Sequence, residues 1–110
     1  MEFTTLDEYE KFVNETKDPI CNDLLYLATA IAGEAGEIAD KVKKLYRDKN
    51  GSHDKNDDRE LILEVGDTLW YLTALAIKLQ VPMWSVAKSN EDKINRRIMM
   101  GTLYGDGDYR

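Results

Sequence analysis

The stretch Ile31-Ala-Gly-Glu-Ala-Gly-Glu-Ile-Ala-Asp40 has the spacing of a helix that is apolar on one side and acidic along the border of that side. Apolar residues continue the pattern in both directions, alternately four and three apart: Leu24, Ala28, Ile31, Ala35, Ile38, Val42 and Leu45. Such spacing predicts an amphipathic helix, which we expect from about Asn22 or Asp23 to about Asp48. Glu34 and Glu37 lie on its border, one helical turn apart.

The stretch Leu61-Ile-Leu-Glu-Val-Gly-Asp-Thr-Leu-Trp70 repeats this arrangement with Glu64 and Asp67. We expect its helix to start near Asp57 or Asp58, after a polar loop, with these positions toward the core: Leu61, Val65, Thr68, Leu72, Leu75 and Leu79. A second apolar line, Leu63, Trp70 and Ile77, follows the far side. A helix that is apolar nearly all round must be buried all round. A domain this small can hardly bury it alone, so we predict an oligomer.

The two acidic pairs predict a site for a hard divalent cation. Residues i and i+3 share one side of a helix, so each helix directs two carboxylates the same way. Measured against the apolar stripes, both pairs fall on matching flanks of their helices. Carboxylates in apolar surroundings are costly unless they are paired or bind a metal. A divalent cation would offset the repulsion among Glu34, Glu37, Glu64 and Asp67.

The remaining chain predicts two more helices and no strand. Thr5 has the position of an N-cap, with Glu8 three residues later, and the first helix should run to about Glu15. Pro82 suits a first helical position, and a fourth helix should run to about Ile98, with these residues inward: Met83, Ala87, Ile94 and Ile98. The glycine-rich tail, residues 101–110, should not be helical. We therefore expect one all-α domain over residues 1–110.

The composition of the chain excludes several classes of function. The chain has 110 residues, a formal net charge of −6 and one cysteine. An acidic chain lacks the basic face of a general nucleic-acid binder, so no nucleic-acid polymer is expected as a partner. No apolar run approaches the length of a membrane span. A single cysteine, Cys21, excludes an internal disulfide framework and favours a cytoplasmic protein.

Together these stretches resemble the MazG-like family of all-α nucleoside triphosphate pyrophosphohydrolases. The family pattern is Glu-Glu-x-x-Glu, an interval, then Glu-x-x-Asp. The corresponding residues are Gly33-Glu-Ala-Gly-Glu37 and Glu64-Val-Gly-Asp67, and Gly66-Asp-Thr-Leu-Trp-Tyr-Leu72 and Asn90-Glu-Asp-Lys93 are also similar to family members. The likeness extends from Thr5 to Arg110 and is closest to short, single-domain phage or bacterial members. One departure is Gly33, which stands where many members have the first glutamate of the doublet.

The resemblance implies a four-helix protomer that assembles into an oligomeric helical bundle, as a homodimer or homotetramer. It implies hydrolysis of a nucleoside triphosphate, either NTP or dNTP, to the monophosphate and pyrophosphate, in nucleotide-pool cleaning or dNTP control. Glu34, Glu37, Glu64 and Asp67 would bind Mg²⁺, with Mn²⁺ able to substitute, and carry the catalysis. The substrate would be bound by a further set, some of them cations for its phosphates: Lys41, Tyr71, Asn90, Lys93 and Arg96.

Two alternatives stand beside this interpretation. One is a phosphoribosyl-ATP pyrophosphohydrolase, a relative with similar acids and a different substrate. The other is a catalytically weak helical oligomerisation module that kept the scaffold, against which the four intact acids argue. The one histidine, His53, lies in the polar loop, which disfavours a di-iron helical bundle with Glu-x-x-His on inward helices.

Overall fold

Residues 4–109 are described by a computed structural model. They form four α-helices and one short 3₁₀-helix: α1 Leu6–Thr16, the 3₁₀-helix Pro19–Asn22, α2 Leu24–Lys49, α3 Lys55–Lys78 and α4 Met83–Met100. No strand occurs within residues 4–109, so the predicted all-α class is confirmed. No helix there is both long enough and apolar enough to cross a membrane. The ends of the expected domain, residues 1–3 and 110, lie outside the described residues.

Side-chain caps fix the starts of α1 and α2 where the sequence predicts them. The Thr5 hydroxyl accepts a hydrogen bond from the Glu8 N–H at 3.2 Å, and the Asp23 carboxylate accepts one from the Tyr26 N–H at 3.0 Å. Each bond satisfies a backbone donor that has no partner within the helix. The tail after α4 is non-helical, also as predicted.

Three predicted helix boundaries differ from the structure by about two residues or fewer. α3 begins at Lys55 rather than near Asp57, because Asp54 and Asp57 form a reciprocal capping box. The Asp54 carboxylate accepts from the Asp57 N–H at 2.9 Å, and the Asp57 carboxylate accepts from the Asp54 N–H at 3.0 Å. Pro82 is the extended N-cap of α4 rather than its first residue, and α4 continues to Met100.

The long helices α2 and α3 form an antiparallel hairpin with the most extensive packing in the chain. α1 packs against α3, and the 3₁₀-helix contacts both long helices. The buried core lies where these elements meet and consists of Val13, Cys21, Leu27 and Ala74. Cys21 is therefore a core residue, consistent with an unreactive thiol.

The predicted core stripes are only partly buried in one chain. Ile31 and Leu75 are half-buried, but these stripe residues remain exposed: Leu24, Val42, Val65, Leu72, Leu79 and Ile98. Leu27 and Ala74, which are not in the stripes, are buried instead. The reason is that α1 and the 3₁₀-helix cover only one end of the α2–α3 hairpin. The rest of its apolar surface has no cover within the chain.

Leu27→Ala should destabilise the fold by about 2–5 kcal/mol, because it removes a fully buried side chain and leaves a cavity. Urea unfolding followed by circular dichroism measures the change. Lys43→Ala is the control, since the Lys43 side chain is 68% exposed on the same helix and its loss should cost well under 1 kcal/mol. Equal losses for the two variants would contradict the position of the core.

Candidate functional site

Three of the four predicted acids converge on the hairpin. Glu34 of α2 meets Glu64 and Asp67 of α3, and one oxygen from each carboxylate lies within 4.8 Å of the others. Glu34 and Glu64 are half-buried, and Asp67 is exposed. We call these three residues the acid cluster. Oxygens on opposite sides of a Mg²⁺ lie about 4.2 Å apart, and Mg²⁺ prefers oxygen ligands, so the cluster suits a hard divalent cation after small side-chain rotations.

The electrostatics of Glu34 reflect this convergence. Burial raises the pKa of its carboxyl above the usual value, and the charges of Asp67, Glu64 and Glu37 raise it further. Desolvation and like charges both disfavour the ionised form of an acid. The fold therefore holds Glu34 where its negative charge is unfavourable unless a cation is bound nearby.

Glu37 does not join the acid cluster in the structure. It is exposed one turn farther along α2, and its charge acts on Glu34 from that position. Its role as a fourth ligand stays a prediction. The spacing of Glu34 and Glu37 predicts that both lie on the same side of α2. Their distances from α3 depend on the angle at which the two helices cross.

Lys41 is the predicted substrate-binding cation that reaches the acids. Its Nζ atom lies 3.7 Å from Glu64 Oε1 and 3.8 Å from Glu60 Oε2. Lys41 therefore bridges the acid cluster and the next turn of α3. Both N–O distances exceed the usual upper limit for a hydrogen bond, about 3.2 Å, by about 0.5 Å or more.

Tyr71 also lies beside the cluster. Asp67, Trp70 and Tyr71 line an open cavity of about 310 Å³. A hydrogen bond with Tyr26, together with burial, raises the pKa of Tyr71 to about 12, and the negative charge of Glu34 adds to the effect. The rings of Trp70 and Tyr71 meet edge to face at 5.1 Å. Both aromatic residues thus pack on the core and border the acids at once.

The three predicted residues of α4 are not brought to the acids within one chain. α4 packs against α1 and α3, and over residues 4–109 it makes no contact with α2. Asn90 and Arg96 are exposed. Lys93 pairs with the tail instead, through its Nζ atom 3.3 Å from Asp108 Oδ1.

Residues 23–99 match the sequence model of the "MazG nucleotide pyrophosphohydrolase domain". This matched segment is more than half of the chain. The chain belongs to the MazG family. It is also similar to the Gene 37 protein of Mycobacterium phage L5, with 41% identity over 87 residues, or 79% of this chain and 76% of that protein. No solved structure matches the chain significantly.

Membership of the MazG family makes the chain a relative of nucleotide pyrophosphohydrolases. The matched segment contains the acid cluster, the aromatic cavity and every predicted substrate-binding residue. It excludes α1 and the whole tail. α1 still supports the MazG segment, because Val13 completes the core.

Two residues that the structure singles out are absent from the sequence prediction, Tyr26 beside Tyr71 and Arg97 beneath the tail. Tyr26 contacts Tyr71 across the hairpin, with ring centroids 6.4 Å apart, and no pattern in the sequence indicates this pairing. Arg97, rather than its neighbour Arg96, is the buried cation of α4, with 5% of its surface exposed. Its Nη2 atom donates to the Gly107 carbonyl at 3.2 Å and to Asp108 Oδ1 at 3.3 Å. Only the folded tail reveals this contact.

Glu34→Gln should stabilise the metal-free protein at pH 7. Because the folded pKa of Glu34 is raised, its ionisation costs folding free energy as the pH rises from the unfolded value, about 4.3, through the folded one. The variant lacks this cost, so its melting temperature in EDTA should exceed that of the unaltered chain at pH 7. The difference should vanish as the pH falls toward 4.

Glu91→Gln, on the exposed side of α4, controls for loss of a carboxylate elsewhere. Thermal unfolding from pH 4 to 8 measures all three proteins. A lower melting temperature for Glu34→Gln at pH 7 would contradict the electrostatic description of the cluster.

Proposed function

We propose that the protein hydrolyses a nucleoside triphosphate, NTP or dNTP, to the nucleoside monophosphate and pyrophosphate in a Mg²⁺-dependent reaction. The observation that carries this proposal is the convergence of three carboxylates inside a segment that matches the MazG domain. We place the reaction in the cytoplasm, in nucleotide-pool cleaning or dNTP control.

The chain's residues suit attack by water at the α-phosphorus. The water oxygen bonds to this phosphorus, the bond to the bridging oxygen of the β-phosphate breaks, and pyrophosphate leaves. A carboxylate of the site, Glu34 or Glu37, takes the proton that the water releases. Bound Mg²⁺, or Mn²⁺ in its place, would stabilise the charge on the phosphates and orient them.

The substrate contacts follow from the surroundings of the acid cluster. Tyr71, with Trp70 beside it, offers an aromatic wall for the base. Lys41 offers a cation for the phosphates. Asn90, Lys93 and Arg96 remain proposed nucleotide contacts from α4, by resemblance to the family.

We also propose that the active protein is a homodimer or homotetramer. A single chain leaves apolar side chains of both long helices in water: Leu25, Ile62, Leu63, Val65, Leu72 and Leu79. Those of α3 lie on more than one side of that helix, and exposed apolar surface of this extent marks interaction sites. A second copy carries the same surface and can cover it isologously.

Asp67→Asn should abolish Mg²⁺-dependent pyrophosphate release, because it removes a charged oxygen ligand from the acid cluster. The assay screens standard and modified NTPs and dNTPs, together with phosphoribosyl-ATP, by pyrophosphate release with Mg²⁺ and with EDTA. A loss of at least about 100-fold is expected, the size typical when a group that stabilises charge is removed from a site. Glu37→Gln should cause a comparable loss if Glu37 moves to the metal when substrate binds.

Glu91→Gln is the control and should retain full turnover, with circular dichroism confirming helicity for all variants. Retained turnover in both Asp67→Asn and Glu37→Gln would overturn the assignment. Hydrolysis of phosphoribosyl-ATP alone would replace the proposed substrate with the alternative one. No release from any substrate by the unaltered chain would favour the oligomerisation module.

Leu63→Asp should shift the protein to a smaller assembly, because it places a charge on a 69% exposed apolar position of α3 that the proposed interface would bury. Light scattering coupled to size-exclusion chromatography measures the mass. Arg59→Glu changes charge on an exposed position of the same helix without removing apolar surface, and should keep the assembly. A monomeric unaltered chain would contradict the proposed interface.

A further inference from the structure

A cleft of about 300 Å³ lies between the C-terminal half of α2 and the N-terminal half of α3. One wall belongs to α2 and consists of Lys41, Lys44, Leu45, Asp48 and Lys49, and the other belongs to α3 and consists of Asp57 and Glu60. We call it the lysine cleft. Its lysines lie outside the acid cluster and the aromatic cavity, so the proposed reaction leaves most of this surface without a role.

One end of the lysine cleft opens at the acid cluster. Lys41 joins the two, since its Nζ atom is 3.7 Å from Glu64 Oε1. The other end is closed by Lys49, whose Nζ atom lies 2.7 Å from Asp57 Oδ2. This bond ties the end of α2 to the start of α3. The cleft therefore extends from Lys41, beside the proposed reacting centre, to the Lys49–Asp57 ion pair.

The order of features along the hairpin gives the site a direction. The aromatic cavity of Trp70 and Tyr71 lies on one side of the acid cluster, and the lysine cleft lies on the opposite side. A nucleoside triphosphate has a flat aromatic base at one end and its β- and γ-phosphates at the other. If its α-phosphate lies at the acids and its base lies in the aromatic cavity, the terminal phosphates must enter the lysine cleft.

Two lysines have donors for those phosphates. Lys41 lies beyond hydrogen-bond distance of both its carboxylate partners. Lys44 donates to Asp40 Oδ2 at 2.7 Å, and an ammonium group has three N–H donors. The two residues are three apart on α2, which places them on one side of the helix with a rise of about 4.5 Å. Neighbouring groups of one polyphosphate chain can contact both.

We propose that the lysine cleft binds the terminal phosphates of the substrate and, after hydrolysis, the pyrophosphate product. Lys41 and Lys44 donate to their oxygens, while Lys49 and Asp57 close the far end. A bound Mg²⁺ would offset part of the negative charge of pyrophosphate and so reduce its repulsion from Asp48, Asp57 and Glu60, the three acids of the cleft. This assignment rests on the proposed function and adds the direction in which the substrate lies.

The test compares Lys44→Met with Lys43→Met. Both lysines pair with Asp40, Lys44 at 2.7 Å and Lys43 at 3.0 Å, and both variants remove one positive charge. Only Lys44 lines the cleft. In steady-state kinetics, Lys44→Met should raise the KM for the triphosphate and the inhibition constant of pyrophosphate by about tenfold, the size expected for one lost hydrogen bond to a charged group. Inhibition by the nucleoside monophosphate should not change.

Lys43→Met should leave all three constants within about twofold of the unaltered chain, since its side chain is 68% exposed and exposed charges act weakly. Equal effects of the two variants, or none from Lys44→Met, would overturn the proposal. So would a matching change in monophosphate inhibition, which would place Lys44 at the α-phosphate.

If the unaltered chain releases no pyrophosphate from any nucleotide, the proposed function fails, and the cleft is still tested directly. Calorimetry then measures binding of magnesium pyrophosphate to the three proteins. Weaker binding by Lys44→Met than by Lys43→Met would support the cleft as a pyrophosphate site. Equal binding by the three proteins, or none, would overturn it.

Discussion

The packing of α2 against α3 forces negatively charged groups together, and the candidate site depends on this constraint. Glu34, Glu64 and Asp67 face one another across the hairpin, where burial and mutual repulsion raise the pKa of Glu34. Helix packing provides the free energy that holds the carboxylates in place, so a cation bound there has its ligands assembled in advance. A fold with no use for such a cluster would be more stable without it.

The same hairpin orders the surroundings of the cluster along one axis. Aromatic residues follow the acids toward the covered end, where α1 and the core hold Tyr71 and Trp70. On the other side of the acids, lysines lie toward the α2–α3 loop. There the Asp54–Asp57 capping box and the Lys49–Asp57 ion pair fix the turn. Rigid helices set these distances, which suits a site that must align a base and a phosphate chain at once.

The other elements of the chain cover only one end of the α2–α3 hairpin. That end serves as the core of the single chain, and the remaining apolar surface is left for contacts with other molecules. The end near Val13 and Leu27 is a dry core within one chain, whereas apolar side chains such as Leu63 and Leu79 remain in water. A chain of this length has few residues outside α2 and α3 with which to bury the apolar surface of both helices. The tail packs on α4 rather than on the exposed surface of the hairpin, because Asp108 forms ion pairs with Arg97 and Lys93 of α4.

The sequence by itself determined the all-α class, the helix cap at Thr5, the start of α2 near Asp23, and the positions of the acidic pairs. These follow from local hydrogen bonds and from a period of about 3.6 residues. Its resemblance to the MazG family also held. Tertiary structure alone decided that Glu37 lies outside the acid cluster, that Arg97 rather than Arg96 is buried, and that much of the predicted core stripe is exposed. Periodicity specifies a side of a helix, but only the crossing of helices and the path of the chain specify what that side meets.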